Sequence, residues 1–501
     1  MARACPLCVY LVLLALLRAA DGSPRADVDV WVFLPRNDSY LFSHARVAPA
    51  IRYAQRRLRS EQEFSGFNFN LHFHDSEREN DALFQLVERA CGAKPDLILG
   101  PVGEYEAAAV VRLASHWNIP VVSAGALAAG FSDKRREYSQ LTRIAPSYVK
   151  MAETFTSMFE HFSWRSALLV FEDDKEQRNC YFTLEGIYHL MVDVTINTYT
   201  FLPEARLDTD DVIHNILGNE VVIMCMGAEK VREIMLAAHR RRLTSGNHMF
   251  FNVELFNASS YGNGSWRRGD KQDNEARQAY AALKTVTLLR TVKPEFENFS
   301  MEMKKSSKTV GFSDGEDSVN MFVEGFHDAL LLYAIALHEA MKGGLGKKNG
   351  TDITARMWNR TFEGIAGQVS MDVNGDRNGD FSLMAMTNTE AGTYEVVANY
   401  FGINETLQLL PAFDMQQFTL RDRGADQPPA EGPDKSCGLG VSALTGVIVG
   451  VVLGTALIIA FYFFRKHFRI TIERRTHADA CESGKHRQLR EDSIRSSFSA
   501  A

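Results

Sequence analysis

The chain is short of the features that mark a small secreted scaffold, a nucleic-acid binder or an enzyme with a recognisable signature. Seven cysteines in 501 residues cannot staple a disulfide-dominated fold, and 46% hydrophobic residues exclude disorder over the whole length. At roughly 150 residues per domain the length suits about three domains. Positive charge is not in excess, with 55 Lys and Arg against 62 Asp and Glu, which argues against a polyanion-binding surface. No H-E-x-x-H occurs, and Gly346-Lys347 lacks the other residues of a phosphate loop. The 14 histidines are scattered rather than spaced as metal ligands, so His74, His116 and His327 read as structural, hydrogen-bonded residues.

Two apolar runs set the compartment. Arg3, an apolar stretch over 7–17 and the small residues Ala19, Ala20, Gly22 and Ser23 form a signal peptide over 1–22, which takes Cys5 and Cys8 with it. Residues 441–464 hold no charge and, at 1.5 Å per residue, suffice to span a hydrocarbon core of ~30 Å. Arg465, Lys466, His467 and Arg469 follow, placing the C-terminal end in the cytosol. From Arg465 onward nine Lys and Arg face five Asp and Glu, a net +4, so the remainder of a chain at −7 holds −11. The expectation is a type I single-pass protein of the plasma membrane with its N-terminus extracellular. Its ectodomain covers 23–436, with a stem over 421–440, a transmembrane helix over 441–464 and a cytoplasmic tail over 465–501.

Cys91, Cys180, Cys225 and Cys437 lie in the oxidising compartment and allow three pairings, among which sequence alone does not choose. Position favours Cys180 with Cys225, because one opens a helix and the other ends a strand within a single run of alternating elements. Cys437 stands alone in a Pro/Gly-rich stem, where two-fold symmetry brings identical stems together and makes an interchain disulfide the simplest partner; a free or capped thiol is the alternative. Sequons at Asn37, Asn257, Asn263, Asn298, Asn349, Asn359 and Asn404 fit a glycosylated ectodomain.

Hydrophobic periodicity gives strands over 28–34, 67–73, 97–99 and 119–123 alternating with helices over 44–59, 81–91 and 106–116. After a linker over 134–146 the alternation restarts: helices over 148–161, 180–191, 210–217 and 228–241, strands over 167–171, 195–201, 221–224 and 249–252. A polar loop over 259–274, a long helix over 317–342 and strands over 369–371, 381–386 and 394–400 follow. Two consecutive α/β runs predict two doubly wound lobes, with late segments returning to each across a hinge crossed three times. The expected division is lobe 1 over 27–125 and 257–367, lobe 2 over 126–256 and 368–420, with ligand in the cleft between them.

Three motifs stand out. Gly446, Gly450 and Gly454 make a tandem G-x-x-x-G face for pairing of membrane helices, unless they reflect only the frequency of glycine in such spans. The run from Asp372 to Asp380 resembles a calcium loop but places Arg377 and Leu383 where an EF-hand needs Gly and Glu, so it reads as a tight turn between strands. In the tail, Arg474, Arg475, His486, Arg487 and Arg490 form basic clusters that suit either a lipid-facing segment or an acidic groove of a heterotrimeric G protein.

The segments Leu99-Gly-Pro-Val-Gly-Glu-Tyr105, Arg112-Leu-Ala-Ser-His-Trp117, Ser123-Ala-Gly-Ala-Leu-Ala-Ala-Gly-Phe131, Asn179-Cys-Tyr-Phe-Thr-Leu-Glu-Gly186, Gly325-Phe-His-Asp328 and Trp358-Asn-Arg-Thr-Phe-Glu-Gly-Ile-Ala-Gly367 resemble the natriuretic peptide receptors. So does the tail from Arg469-Ile-Thr-Ile-Glu-Arg-Arg475 to Glu491-Asp-Ser-Ile-Arg495. The resemblance covers nearly the whole chain and is to the clearance type, because 37 residues after the span cannot hold the kinase-homology and guanylyl cyclase domains of the other types. It implies an α/β, type I periplasmic-binding-protein-like ectodomain with two doubly wound lobes, plus one transmembrane helix. The implied activity is not enzymatic: a homodimer binds natriuretic peptide hormones, clears them by internalisation and couples through its basic tail to an inhibitory heterotrimeric G protein, inhibiting adenylyl cyclase. Carried over residue by residue, the hormone surface would hold Tyr105, Glu137, Phe171, Tyr181, Phe182, Leu184, Glu185 and Phe201, aromatics taking the hormone's apolar residues and the two glutamates its arginines. Asn80 and Arg112 are weaker candidates. A chloride ion would rest on Ser76 and the N–H groups of Val102 and Gly103.

One departure from the family is visible. A first disulfide usual there is missing, its two places holding Arg78 and Gly103, and Cys91 matches neither. Two other readings keep parts of this picture. A sensor of the amino-acid-receptor kind would need a Ser/Thr pair and an Arg in the cleft, and a membrane-anchored ectoenzyme would need an acid/base pair there.

Overall fold

The computed structural model describes residues 25–255, 264–289, 293–310 and 319–420. Strands of two to nine residues form two eight-stranded mixed sheets, in which the early strands, separated by helices, pair in parallel and the late ones, from β11 on, pair mostly antiparallel. The first contains β1 (Ala26–Leu34), β2 (Phe67–Asp75), β3 (Leu97–Leu99), β4 (Val121–Ser123), β5 (Leu141–Pro146), β11 (Arg360–Glu363), β12 (Gln368–Met371) and β13 (Asp376–Arg377), in the order β11-β12-β13-β5-β4-β3-β1-β2. The second contains β6 (Ser166–Glu172), β7 (Thr195–Phe201), β8 (Val221–Cys225), β9 (Met249–Val253), β10 (Leu283–Leu288), β14 (Asp380–Asn388), β15 (Thr393–Phe401) and β16 (Thr406–Leu409), in the order β16-β15-β14-β10-β9-β8-β6-β7. The central strands are buried throughout, as parallel strands covered on both faces must be.

Helices α1 (His44–Ser60), α2 (Asp81–Ala90), α3 (Glu104–His116), α9 (Pro294–Val310), α10 (Met321–Lys342) and α11 (Gly350–Met357) belong with the first sheet, and α4 (Tyr148–Phe162), α5 (Asn179–Leu190), α6 (Thr209–Leu217), α7 (Ala228–Arg240) and α8 (Asp273–Tyr280) with the second. Helix α10 is the most apolar of them. Asn320 caps it, its side-chain oxygen accepting the N–H groups of Phe322 (3.0 Å) and Val323 (3.2 Å), and Phe326, Leu330, Tyr333 and Leu337 are fully buried. It is long and apolar enough to cross a membrane, yet it is the core helix of the first lobe, packed on α1, α11 and β5. The expected span over 441–464 lies outside the described residues.

The lobes are drawn differently from the expected division. The segment read as a linker over 134–146 contains β5, an inner strand of the first sheet, and 368–377 completes that same sheet, whereas 283–288 joins the second. Long-range charge explains the first difference. Arg143 in the middle of β5 is fully buried and donates to both oxygens of Asp376 in β13 (2.7 and 2.6 Å), while Lys134 reaches the same carboxylate at 2.9 Å. The three crossings between lobes therefore fall at Pro146–Tyr148, after Leu288 and at Arg377–Asp380, and they touch: Leu289 N–H donates to Asp380 O (2.9 Å), and a Cβ on Gly379 would stand 2.7 Å from that of Pro146.

The turn over 372–375 closes as expected. Asp372 Oδ1 accepts the N–H groups of Asn374 and Asp376, and Gly375, at φ +72°, has the Trp358 indole where a side chain would be. The expected disulfide is present: Cys180 at the start of α5 joins Cys225 at the end of β8, 45 residues apart in sequence. Cys91 is exposed and free.

Candidate functional site

In an open α/β sheet, ligands gather where strands end. Here β1 runs into Pro35, β2 into Ser76, β3 into the turn 100–103 and β4 into Gly125, and all border one crevice of about 60 Å³ closed from the second lobe by Glu176, Gln177 and Asn179. At Gly100 (φ +79°) a Cβ would lie 2.6 Å from the Phe33 carbonyl oxygen, so only glycine lets β3 turn into the crevice.

Ser76, Val102 and Gly103, the expected anion seat, all line this crevice. Gly103 is the N-cap of α3, and the side chain of Glu106 folds back over it, so that any Cβ at 103 would collide with Glu106 Oε2. Burial raises the Glu106 pKa against the pull of its own backbone N–H. Glu77, Glu104 and Glu176 border the same space, and no Lys, Arg or His lines it. With Glu106 ionised, its carboxylate already answers the positive end of the helix, and the residues present fit a chloride ion poorly. Burial pushes Glu104 up to about 7, but its two oxygens accept the N–H groups of Leu127 (3.0 Å) and Ala128 (3.2 Å), so it ties a loop rather than facing a substrate. The crevice lacks the arginine that a clamped amino acid needs.

Beside it an aromatic chain crosses from one lobe to the other. Tyr105, in the first turn of α3, lies 5.8 Å from Phe182 of α5; Phe182 is 5.2 Å from Tyr181, and Tyr181 is 6.1 Å from Phe171 of β6. Arg178 sits 3.8 Å over the Tyr181 ring and donates two hydrogen bonds to Asp173 (2.9 and 3.0 Å). Against the upward push of burial, the hydrogen bonds from Arg178 and Lys175 hold Asp173 down at about 2. The Tyr181 hydroxyl donates to Glu185 at 3.4 Å, and burial raises the Glu185 carboxyl. The disulfide pins this helix at Cys180, between Arg178 and Tyr181.

The carried-over residues thus divide. Tyr105, Phe171, Tyr181, Phe182 and Glu185 come together, with Tyr105, Tyr181 and Glu185 half-buried. Leu184 is 1% exposed and packs in the core. Phe201 ends β7 and packs with the cluster on the opposite face of the second sheet. Glu137 is exposed on the first lobe, paired with Arg112, whose guanidinium lies over Tyr138. Asn80 caps α2 at its exposed N-terminus. Sequence reading passed over Asp173, Arg178 and Glu106; the first two were signalled only by the charge cluster preceding Asn179-Cys180. Asn37, Asn298, Asn349, Asn359 and Asn404 are all exposed. Asn257, Asn263, Cys437, the glycines 446, 450 and 454, and the basic residues 474, 475, 486, 487 and 490 lie outside the described residues.

Comparison with known proteins gives the family. Residues 46–389 match the family model described as the receptor family ligand binding region. The chain is 55% identical over 499 residues to atrial natriuretic peptide receptor 3 of Rattus norvegicus, covering 97% of this chain and 93% of that protein. It is also 55% identical over 497 residues to the receptor of that name from Homo sapiens, covering 96% and 92%. To atrial natriuretic peptide receptor 2 of Homo sapiens it is 32% identical over 420 residues, 79% of this chain and 39% of that one.

Proposed function

We propose, from the premise that the chain belongs to the natriuretic peptide receptor family, that it binds natriuretic peptide hormones at the cell surface as a homodimer and clears them by internalisation. The observation that supports this best is the aromatic chain Tyr105–Phe182–Tyr181–Phe171 with Glu185 at its side, because it offers apolar pockets and a carboxylate along one face spanning both lobes. Rigid rings present large contact area at low entropic cost, and a half-buried carboxylate meets a hormone arginine with a charge-assisted bond. Glu137 would add a second carboxylate once Arg112 exchanges it for hormone.

Dimerisation is assigned to Cys437 in the stem and to the glycine face of the membrane helix, and the basic tail to an inhibitory heterotrimeric G protein. Chloride enters only where Glu106 is protonated or swung aside. Glycans on the exposed sequons complete the picture of a plasma-membrane ectodomain with its N-terminus outside.

The test is uptake of labelled natriuretic peptide by cells expressing the full chain, beside Tyr181→Ala and Cys437→Ser. Saturable surface binding followed by internalised label, weakened by about tenfold or more in Tyr181→Ala, is the expected result. Cys437→Ser should lose the covalent dimer on non-reducing gels. A chain that reaches the surface folded and binds none of the natriuretic peptides refutes the reading.

A further inference from the structure

The loop over 173–178, between β6 and α5, carries backbone strain at the edge of the aromatic face. Lys175 and Arg178 both take positive φ, +63° and +55°, a region that residues with a β-carbon seldom occupy. Two aspartates hold them there. Asp174 Oδ1 accepts the N–H groups of Glu176 (3.0 Å) and Arg178 (2.6 Å), and Asp173 Oδ1 accepts that of Lys175 (3.4 Å). Strain of this kind persists only where the surroundings over-determine it, and at binding sites it serves to set a group in place beforehand.

The group set in place here is the Arg178 guanidinium, at the N-cap of α5. Nε and Nη2 each donate to a different oxygen of the buried Asp173 (2.9 and 3.0 Å), which fixes the plane of the cation, and its carbon lies 3.8 Å from the centroid of the Tyr181 ring. Tyr105, on the other lobe, is a second hydrogen-bond partner; Asp173 first and Tyr105 after it raise the pKa of Arg178 against burial. One rigid cation therefore meets an aromatic residue of each lobe. Its charge reaches further, to Glu185. Burial raises that carboxyl, while His189, the Tyr181 hydroxyl and Arg178 each draw it back down, and Glu104 of α3 is the acid that acts on it from the first lobe.

We propose that Arg178 is the positioning residue of the hormone face: it sets the Tyr181 ring against Tyr105 and keeps a positive charge beside Glu185, acting on the hormone through these groups. The inference rests on the hormone-binding reading given above. A peptide that meets rings already held in place leaves less freedom to be lost on docking, so the arrangement contributes to affinity. Lysine is no substitute, because an ammonium has no plane with which to grip two carboxylate oxygens and lie flat on a ring.

The experiment is equilibrium binding of labelled natriuretic peptide to cells expressing the full chain, at neutral and mildly acidic pH, with surface protein counted by biotinylation. Arg178→Ala should bind about tenfold more weakly at neutral pH, and its loss and that of Tyr181→Ala should fall well short of adding in the double variant. The acid limb of the binding curve separates positioning from a merely structural role. In Arg178→Ala it should move to higher pH, because Glu185 loses a nearby positive charge, whereas Arg178→Lys should leave it in place and still bind more weakly than the wild type. If Arg178→Ala does not reach the surface, Arg178→Lys with and without Tyr181→Ala decides. Full additivity with Tyr181→Ala, an acid limb that Arg178→Ala does not move, or wild-type affinity in Arg178→Lys overturns the inference alone. A wild-type chain at the surface that binds no natriuretic peptide overturns the function proposed above, and this inference with it.

Discussion

Glu106 and Gly103 stand three residues apart at the head of α3, and the glycine is what gives the glutamate its place, since any side chain at 103 would push that carboxylate away. The consequence is measurable. Hormone binding by the native chain should be indifferent to replacing chloride with gluconate at constant ionic strength, whereas Glu106→Ala should bind better in chloride; equal behaviour of the two proteins would contradict the carboxylate's hold on the seat. Glu185 makes a pH prediction. Burial raises its pKa, so the charged form that would meet a hormone arginine is present above that raised value and is lost as pH falls through it, at a less acidic pH than for an ordinary glutamate. Binding should weaken on mild acidification, and Glu185→Gln should flatten that part of the profile while binding less at neutral pH. At Asp376, Arg143 and Lys134 overcome burial and hold the carboxyl far below its usual range. Its contribution to stability is therefore present above the unfolded-state pKa and lost as pH falls through the depressed one. Asp376→Asn leaves two buried cations with no anion between them and should cost about 3–5 kcal/mol in a denaturant titration.

Among elements, the sequence made the parallel α/β alternation readable, because runs such as 97–99 and 221–224 are wholly apolar and bounded by turn residues. It concealed β5 and β10, and for one reason. Each has a buried cation, Arg143 in β5 and Lys284 in β10, which breaks the hydrophobic run. What satisfies Arg143 is Asp376, 233 residues away, and Lys284 donates to Ala282 O at 3.1 Å beneath the Phe418 ring. Asp376 and Phe418 stand far off in sequence, and a pattern of near neighbours shows neither. Part of the candidate site was hidden in the same way: residue types on α5 were visible, but that Phe182 would meet Tyr105 of the other lobe depends on how the lobes are joined. The link from α5 to β8 is stronger than packing alone. Closing a loop of 45 residues in the unfolded chain corresponds to about 4 kcal/mol, so Cys180→Ser with Cys225→Ser should unfold at markedly lower denaturant while keeping the fold.

At the scale of the molecule, three chain crossings that touch one another join two lobes that also pack against each other through a shared hydrophobic core. Gly379 is the tightest point of this joint, with Pro146 Cβ 2.7 Å and Phe381 Cε2 2.6 Å from where a side chain would begin. Gly379→Val should alter the distance between labels on α2 and α7, read by energy transfer, more than it alters distances within either lobe. Unchanged transfer, in protein that remains folded, would place the joint elsewhere.

The Cys180–Cys225 bridge has a further consequence, for cleavage. It closes a covalent ring that carries Tyr181, Phe182, Leu184, Glu185 and Phe201. A protease that cuts once between 181 and 224 breaks the backbone without releasing a fragment, so the nicked receptor migrates as one chain until reductant is added and as two afterwards. Damage to the proposed hormone face would then stay attached to the receptor that suffered it.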